Sequence, residues 1–278
     1  MTQIHDRTRD LASVEAPLTY LVNADVMPVT YATAAGADRI ESEGNYADHN
    51  CTIRDARPIA GNLTLDREGF ALVPHATKVK DFYDLDETDR IYIPELEELV
   101  KAHSGASKVV VFDFTRRADS QDIQDTKMVR GPAGRVHNDY TDVSAPQRVR
   151  DLMPAGEAEA LLERRYAIIN VWRPVLGPVE TSPLAVCDAR SIAADDLVTT
   201  ERRAKNRVGQ VQHALYNPDH RWYYFPLQTR DEATLIKCFD SARDGPARFT
   251  AHCAFDDPTT PPGATPRESI EARTFAFF

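Results

Sequence analysis

Tyr166-Ala-Ile-Ile-Asn-Val-Trp172 opens the part of the chain whose reading decides the fold. It is β-branched and aromatic, the composition of a buried strand. After it come 185–188, 210–216, 221–226, 235–240, 249–255 and 269–278, all short, strand-like and divided by turn-sized intervals carrying Pro and Gly. No long helical pattern stands between them. That argues against a parallel βαβ sheet and predicts a sandwich or barrel of antiparallel strands. No glycine-rich phosphate loop occurs, so nucleotide-binding folds fall away as well.

Working back toward the N-terminus, residues 146–153 and 156–165 read as two short helices, and 135–141 as extended. Pro94-Glu-Leu-Glu-Glu-Leu-Val-Lys101 predicts a helix. It has Pro at its start, acids in its first turn and Leu96, Leu99 and Val100 on one face, and Gly105 ends it. Lys108 to Phe114 is β-branched enough for a buried strand. Strand-like text at 62–66 and 69–73 is split by a turn around Asp66 to Gly69. The first fifty residues read as irregular with short extended pieces (18–26 and 28–33). The expected organisation is therefore an N-terminal extension, 1–50, packed on a single domain, 51–278.

The composition is that of an ordinary globular protein: 278 residues, 42% hydrophobic, 27% charged, net charge −10. No apolar run approaches the roughly 20 residues of a membrane helix. The polar, acid-containing start MTQIHDRTRD resembles neither a secretory signal nor a transit peptide. Four scattered cysteines with no CxxC pair argue against a disulfide scaffold or a Cys-rich zinc site and fit a reducing cytoplasm. An acidic chain without a basic block points away from nucleic acid and from anionic membrane surfaces. The expectation is a cytoplasmic enzyme with a small-molecule substrate, and a homodimer is compatible with it.

The chemistry centres on His137-Asn-Asp139. In an extended strand, residues two apart share a face, so His137 and Asp139 point the same way. One imidazole and one carboxylate supply two adjacent metal ligands, and a second His would complete a two-His-one-carboxylate face. His252, in the strand-like run Phe249-Thr-Ala-His-Cys-Ala-Phe255, is the preferred third ligand. His213 and His220 compete with it, although His220 and the Arg230 ten residues later both stand in turn-like polar text. A Pro-rich loop then leads to Arg267-Glu-Ser-Ile-Glu-Ala-Arg273, where Arg267, Ser269, Glu271 and Arg273 fall on one face. Arg followed two residues later by Ser is a carboxylate clamp, a bidentate cation with one added donor. Arg173 has two readings, a co-substrate or substrate contact and a structural ion pair.

The order His-x-Asp, about a hundred residues, His, then Arg-x-Ser resembles that of Fe(II)/2-oxoglutarate oxygenases. More specifically, seven segments resemble the AsaB-type hydroxylase/desaturase family, which takes in gibberellin desaturases and the cephamycin methoxylation component. They are Leu65-Asp-Arg-Glu-Gly-Phe70, Val111-Phe-Asp-Phe-Thr-Arg116, Val136-His-Asn-Asp-Tyr-Thr141, Asn170-Val-Trp-Arg-Pro174, Arg221-Trp-Tyr-Tyr-Phe-Pro226, 231–241, and 252–258 with 267–273. They run in family order from about residue 51 to the end.

The resemblance implies a mainly β fold with flanking helices around a double-stranded β-helix, the cupin-like jelly-roll. It implies Fe(II), 2-oxoglutarate and O2 as requirements, with His137, Asp139 and His252 as iron ligands. Arg267 and Ser269 would hold the co-substrate, with Arg273 and Arg173 as further candidates. The interval of fifteen residues from His252 to Arg267 is longer than is usual in the wider superfamily, so Arg267 and Arg273 both stand as the carboxylate partner. The implied activity is hydroxylation or desaturation of a natural-product-like molecule by hydrogen-atom abstraction, coupled to decarboxylation of 2-oxoglutarate to succinate. Asp139 disfavours halogenation, because halogenases of this superfamily lack that carboxylate. The alternative reading is a jelly-roll metal-binding protein or zinc hydrolase without oxygenase activity.

Overall fold

The computed structural model describes residues 11–25, 27–31, 42–204 and 207–278. Its strands are, in chain order, β1 (Ser13–Leu21), β2 (Val29–Tyr31), β3 (Ser42–Glu43), β4 (Tyr46–Asp55), β5 (Phe70–Pro74), β6 (Lys108–Ala118), β7 (His137–Asn138), β8 (Tyr166–Pro174), β9 (Leu184–Cys187), β10 (Leu197–Ala204), β11 (Arg207–Ala214), β12 (Trp222–Tyr224), β13 (Glu232–Asp240), β14 (His252–Ala254) and β15 (Glu268–Phe277). Four helices matter to the packing: α1 (Ile93–Ser104), α2 (Gln121–Lys127), α3 (Ser144–Leu152) and α4 (Ala155–Leu162).

Two sheets face one another. The smaller has the order β5-β13-β8-β15-β6 and is antiparallel throughout. The larger runs β1-β4-β12-β9-β14-β7-β11-β10-β2-β3. Between them Ile168, Trp172, Ile236 and Phe275 of the smaller sheet meet Val186 and Tyr223 of the larger. Every residue of β8 is buried, because both of its faces are covered. Ile168 and Trp172 look into the space between the sheets, while Ala167, Ile169 and Val171 pack with Leu96, Leu99 and Val100 of α1. Gly105 ends α1 in the left-handed conformation, φ 76°.

The larger sheet curls until β1 comes back beside the residues that flank β7 and β11. β1 pairs along its whole length with β4, and parallel bridges tie Thr19 to Arg135 and Leu21 to Leu215. This closes a third core around Tyr20, Ile53, Trp222 and Cys253. Burying a side chain such as that of Ile53 contributes on the order of 1.5–3 kcal/mol. The architecture is the mainly β jelly-roll with flanking helices.

Several local expectations change. The text at 62–66 is not a strand: a 3₁₀ turn (Arg57–Asn62) leads into a tight turn in which the N–H groups of Arg67, Glu68 and Gly69 all donate to the Thr64 carbonyl. Leu63 and Leu65 alternate only because they enter different cores. The strands expected over 135–141 and 249–255 shrink to the two residues of β7 and the three of β14. β10 and α2 were not expected, both being too polar to show an apolar period. The division after residue 50 falls inside β4, within one continuous ladder with β1. Residues 1–10, with His5, and residues 26, 32 and 33 of the extended pieces lie outside the described residues.

Candidate metal centre

β7 runs antiparallel to β14, and its register sets His137 directly opposite His252. The ring centroids are 4.4 Å apart. Asp139 follows His137 by two residues and brings Oδ1 to 3.7 Å from His137 Nε2. One ligand atom from each of the three residues lies within 4.8 Å of the others, the one such cluster of three among the described residues.

Each imidazole is oriented by a backbone carbonyl two residues earlier. His137 Nδ1 lies 2.8 Å from Arg135 O, and His252 Nδ1 lies 3.1 Å from Thr250 O. A carbonyl can only accept, so Nδ1 carries the hydrogen and Nε2 turns its lone pair inward. His252 Nε2 is buried and meets no hydrogen-bond partner. Buried polar atoms are rarely left so, and an electrophile between the rings would satisfy it. Burial, reinforced by His252, pushes His137 down to about 3, so its ring is neutral at physiological pH.

Asp139 divides its carboxylate. Oδ2 accepts from Asn170 Nδ2 at 2.8 Å and from Arg273 Nε at 3.0 Å, while Oδ1 faces His137. Burial works to raise this carboxyl. Arg273, the two imidazoles and Asn170 outweigh burial and hold it well below the usual range. Two imidazoles and one fixed carboxylate, with no thiolate, form a donor set suited to a divalent first-row metal with open positions.

Beside this triangle a small cavity is lined by His137, His252, Trp172, Arg117, Arg267 and Ser269. Arg267 is buried over the Trp172 ring, 5.6 Å to the centroid, and donates from Nη1 to Ser182 O. Its Nε is buried without a partner. Arg117 donates to Gly131 O at 2.8 Å. Neither guanidinium makes an ion pair among the described residues. Burial pushes both down to about 10, and for Arg267 the nearby Arg117 adds to the effect. Two cations with no carboxylate in direct contact, Arg267 buried and Arg117 half-buried, suit a carboxylate ligand. Arg273 also lines this cavity, and it already binds Asp139, Asp113 and Glu271 at 2.9–3.0 Å. A second cavity of about 670 Å³ opens on the other side of Asp139 and Arg273.

Of the two readings of Arg173, a co-substrate or substrate contact and a structural ion pair, the described residues place it in neither arrangement. Its strand partner is Ile270, on the opposite face of the smaller sheet from Ser269 and Glu271. There it contacts His75, donates to Arg230 O at 3.2 Å and lies 5.1 Å from the Tyr92 centroid. His213 sits opposite His137 on β11 but turns to the Tyr46 hydroxyl, 2.6 Å away. His220 contacts Asp196 and Tyr20. Two participants were missed. Asn170 lies within a segment already singled out, and its burial on an interior strand was the available signal. Arg117 pairs with Ser269 only through the β6–β15 ladder, which no local pattern reveals.

A family model described as "Oxidoreductase/YMDC permease-like domain" matches residues 18–277. No helix among the described residues is long and apolar enough to cross a membrane. The hydroxylase/desaturase CTB9 of Cercospora beticola is 36% identical over 254 residues, covering 84% of this chain and 78% of the relative. The Fe(II)/2-oxoglutarate-dependent dioxygenase nvfI of Aspergillus novofumigatus is 35% identical over 242 residues, covering 84% of both. A solved structure of the iron and alpha-ketoglutarate-dependent endoperoxidase NvfI superposes with a TM-score of 0.85, at 29% identity over 95% of this chain and 98% of that one.

Proposed function

The chain belongs to the hydroxylase/desaturase family of Fe(II)/2-oxoglutarate-dependent oxygenases, and from that premise we propose that it oxidises a small, natural-product-like molecule by hydrogen-atom abstraction. His137, Asp139 and His252 would hold Fe(II), and Arg267, Ser269 and Arg117 would hold the distal carboxylate of 2-oxoglutarate. The bound iron supplies the O2 chemistry that couples decarboxylation of 2-oxoglutarate to succinate with attack on a C–H bond.

The chain's own contribution is positional. Thr250 and Arg135 fix the imidazole tautomers through their carbonyls. Arg273 and Asn170 keep Asp139 ionised and point one oxygen at the metal position. The Trp172 ring and the buried Arg267 shield the co-substrate end from water. All four cysteines are buried and unpaired, which supports a reducing, cytoplasmic setting.

The observation that carries this reading is the partnerless, buried Nε2 of His252 facing His137 and Asp139. Mixing the protein anaerobically with Fe(II) and 2-oxoglutarate tests it. The expected result is a weak visible charge-transfer band, then slow succinate formation on admitting air. Both should vanish in His137→Ala and in Asp139→Ala; persistence of both signals in both variants refutes the reading.

A further inference from the structure

The 670 Å³ cavity beyond Asp139 is within the size range of small-molecule sites. Its charge is unusual for a chain of net −10. Six cationic side chains line it, against two carboxylates, Asp113 and Asp139. Both carboxylates are taken up by Arg273. The other cations of the lining are Arg116, Lys127, Arg130, Arg148 and Arg202, so its formal charge is strongly positive.

These five are not equivalent. Arg116 donates to Phe82 O and to the Thr88 hydroxyl, and Lys127 lies over the Tyr83 ring at 4.7 Å. Burial, with repulsion from Arg202 and Arg273, lowers the pKa of Arg130, the sign of crowded positive charge. Arg148, on α3, lies over the face of Phe112, 5.4 Å to the ring centroid, and makes no ion pair among the described residues. Arg202, on β10, makes no ion pair among the described residues, and its cross-strand partner is Gly209, which has no side chain to fill the space beside it. Both arginines are half-buried. Positive charge held in a concave, partly desolvated site selects oxyanions, through focused potential and charge-assisted hydrogen bonds.

We propose that the molecule oxidised is an organic anion, carrying a carboxylate or a comparable oxyanion, and that Arg148 and Arg202 determine this specificity by binding that group across the cavity from Asp139. The inference rests on the oxygenase reading above for the cavity's role. The anion preference itself rests on the cavity's own residues.

The test uses the full chain loaded anaerobically with Fe(II) and saturating 2-oxoglutarate, so that the site at Arg267 is already filled. Two fluorescent probes of nearly the same shape are titrated: 8-anilinonaphthalene-1-sulfonate and the uncharged N-phenyl-1-naphthylamine. The sulfonate is expected to bind at least about tenfold more tightly, the effect of one charge-assisted contact, and to weaken as salt rises. The double variant Arg148→Gln/Arg202→Gln should lose about tenfold in sulfonate affinity, while the uncharged probe binds as before. Its melting temperature is recorded alongside to show that it folds. Equal affinity of the two probes for the wild-type chain, or sulfonate binding untouched in the double variant, overturns the proposal. The charge-transfer band, read in the same samples, judges the oxygenase reading separately. A band without anion preference sinks the anion proposal alone, and anion preference without a band sinks the oxygenase reading alone.

Discussion

Arg273 donates from Nε to Asp139 Oδ2 at 3.0 Å and thereby assigns the carboxylate's other oxygen to the space between His137 and His252. The same guanidinium also pairs with Asp113 and Glu271. Replacing it with Gln would take away the one cation that contacts all three of Asp113, Asp139 and Glu271 among the described residues. Breaking a buried pair of this kind costs on the order of 3–5 kcal/mol. Groups that orient a metal ligand alter affinity by roughly 10–100-fold when removed. Arg273→Gln is therefore expected to weaken Fe(II) or Co(II) binding by about that factor and to lower the urea midpoint. A variant with unchanged metal affinity would show that Asp139 is positioned without it.

Arg267 and Arg117 make the opposite prediction. Neither contacts His137, Asp139 or His252 through a hydrogen bond, so Arg267→Ala should retain metal binding. With its cation and orphaned Nε gone, affinity for 2-oxoglutarate should fall by about 100-fold, the weight of a charge-assisted bidentate contact. Arg117→Gln should show a smaller loss in the same direction. Titrating the charge-transfer band with 2-oxoglutarate measures both. Unchanged co-substrate affinity in Arg267→Ala would contradict the assignment.

Arg173 separates residue type from residue placement. It is fully buried in a segment shared with Asn170 and Trp172, yet it faces away from the cavity, among His75, Tyr92 and the Arg230 carbonyl. Arg173→Met should leave 2-oxoglutarate affinity within about twofold, whatever it does to stability. A loss comparable to that of Arg267→Ala would restore Arg173 to the co-substrate site.

This residue also shows where sequence reading reaches its limit. Strand period alone put Arg267, Ser269, Glu271 and Arg273 on one face, and the β6–β15 ladder sets Ser269, Glu271 and Arg273 against Arg117, Thr115 and Asp113. The same period, applied from Asn170 and Trp172, would have turned Arg173 outward. Which guanidinium is free was not legible. That depends on Asp113 and Asp139, carboxylates more than a hundred residues upstream that saturate Arg273 and leave Arg267 alone. β10 escaped notice because Thr199-Thr-Glu-Arg-Arg203 shows no apolar alternation. His-x-Asp and the distant His were readable because metal chemistry restricts residue type, whereas their meeting depends on a ladder of one residue pair.

His213, beside His137, contributes to a pH dependence of folding. Burial, helped by Arg135, pushes its imidazole down to about 4, and it meets the Tyr46 hydroxyl at 2.6 Å. Unfolded, the ring titrates near 6.5. Between about pH 6.5 and 4 the unfolded chain thus binds a proton that the folded chain refuses. Stability present above pH 6.5 should drain away as pH falls through that window, by on the order of 3 kcal/mol from this group. Urea unfolding of the metal-free protein at pH 7 and at pH 4.5 measures it. His213→Gln should flatten the slope, and an equally steep dependence in that variant would refute the attribution.

Gly69 links the turn after residue 62 to the metal centre. Its φ is +87°, and a Cβ there would stand 2.1 Å from Thr250 Oγ1. Thr250 is fully buried, its hydroxyl donates to Gly69 O at 3.1 Å, and its own carbonyl receives Nδ1 of His252. A methyl at position 69 must displace the residue that orients a candidate ligand. Left-handed backbone strain and overpacking together are expected to cost about 2–4 kcal/mol in Gly69→Ala. Metal affinity should fall with stability, because His252 Nε2 is turned from its line. Adding Thr250→Ala removes the 2.1 Å clash but leaves the backbone strain and a 3.3 Å contact with the Thr250 Cβ. The double variant should therefore regain metal affinity more fully than stability. If Gly69→Ala bound metal as the wild-type chain does, the path from this turn through Thr250 to His252 would be disproved.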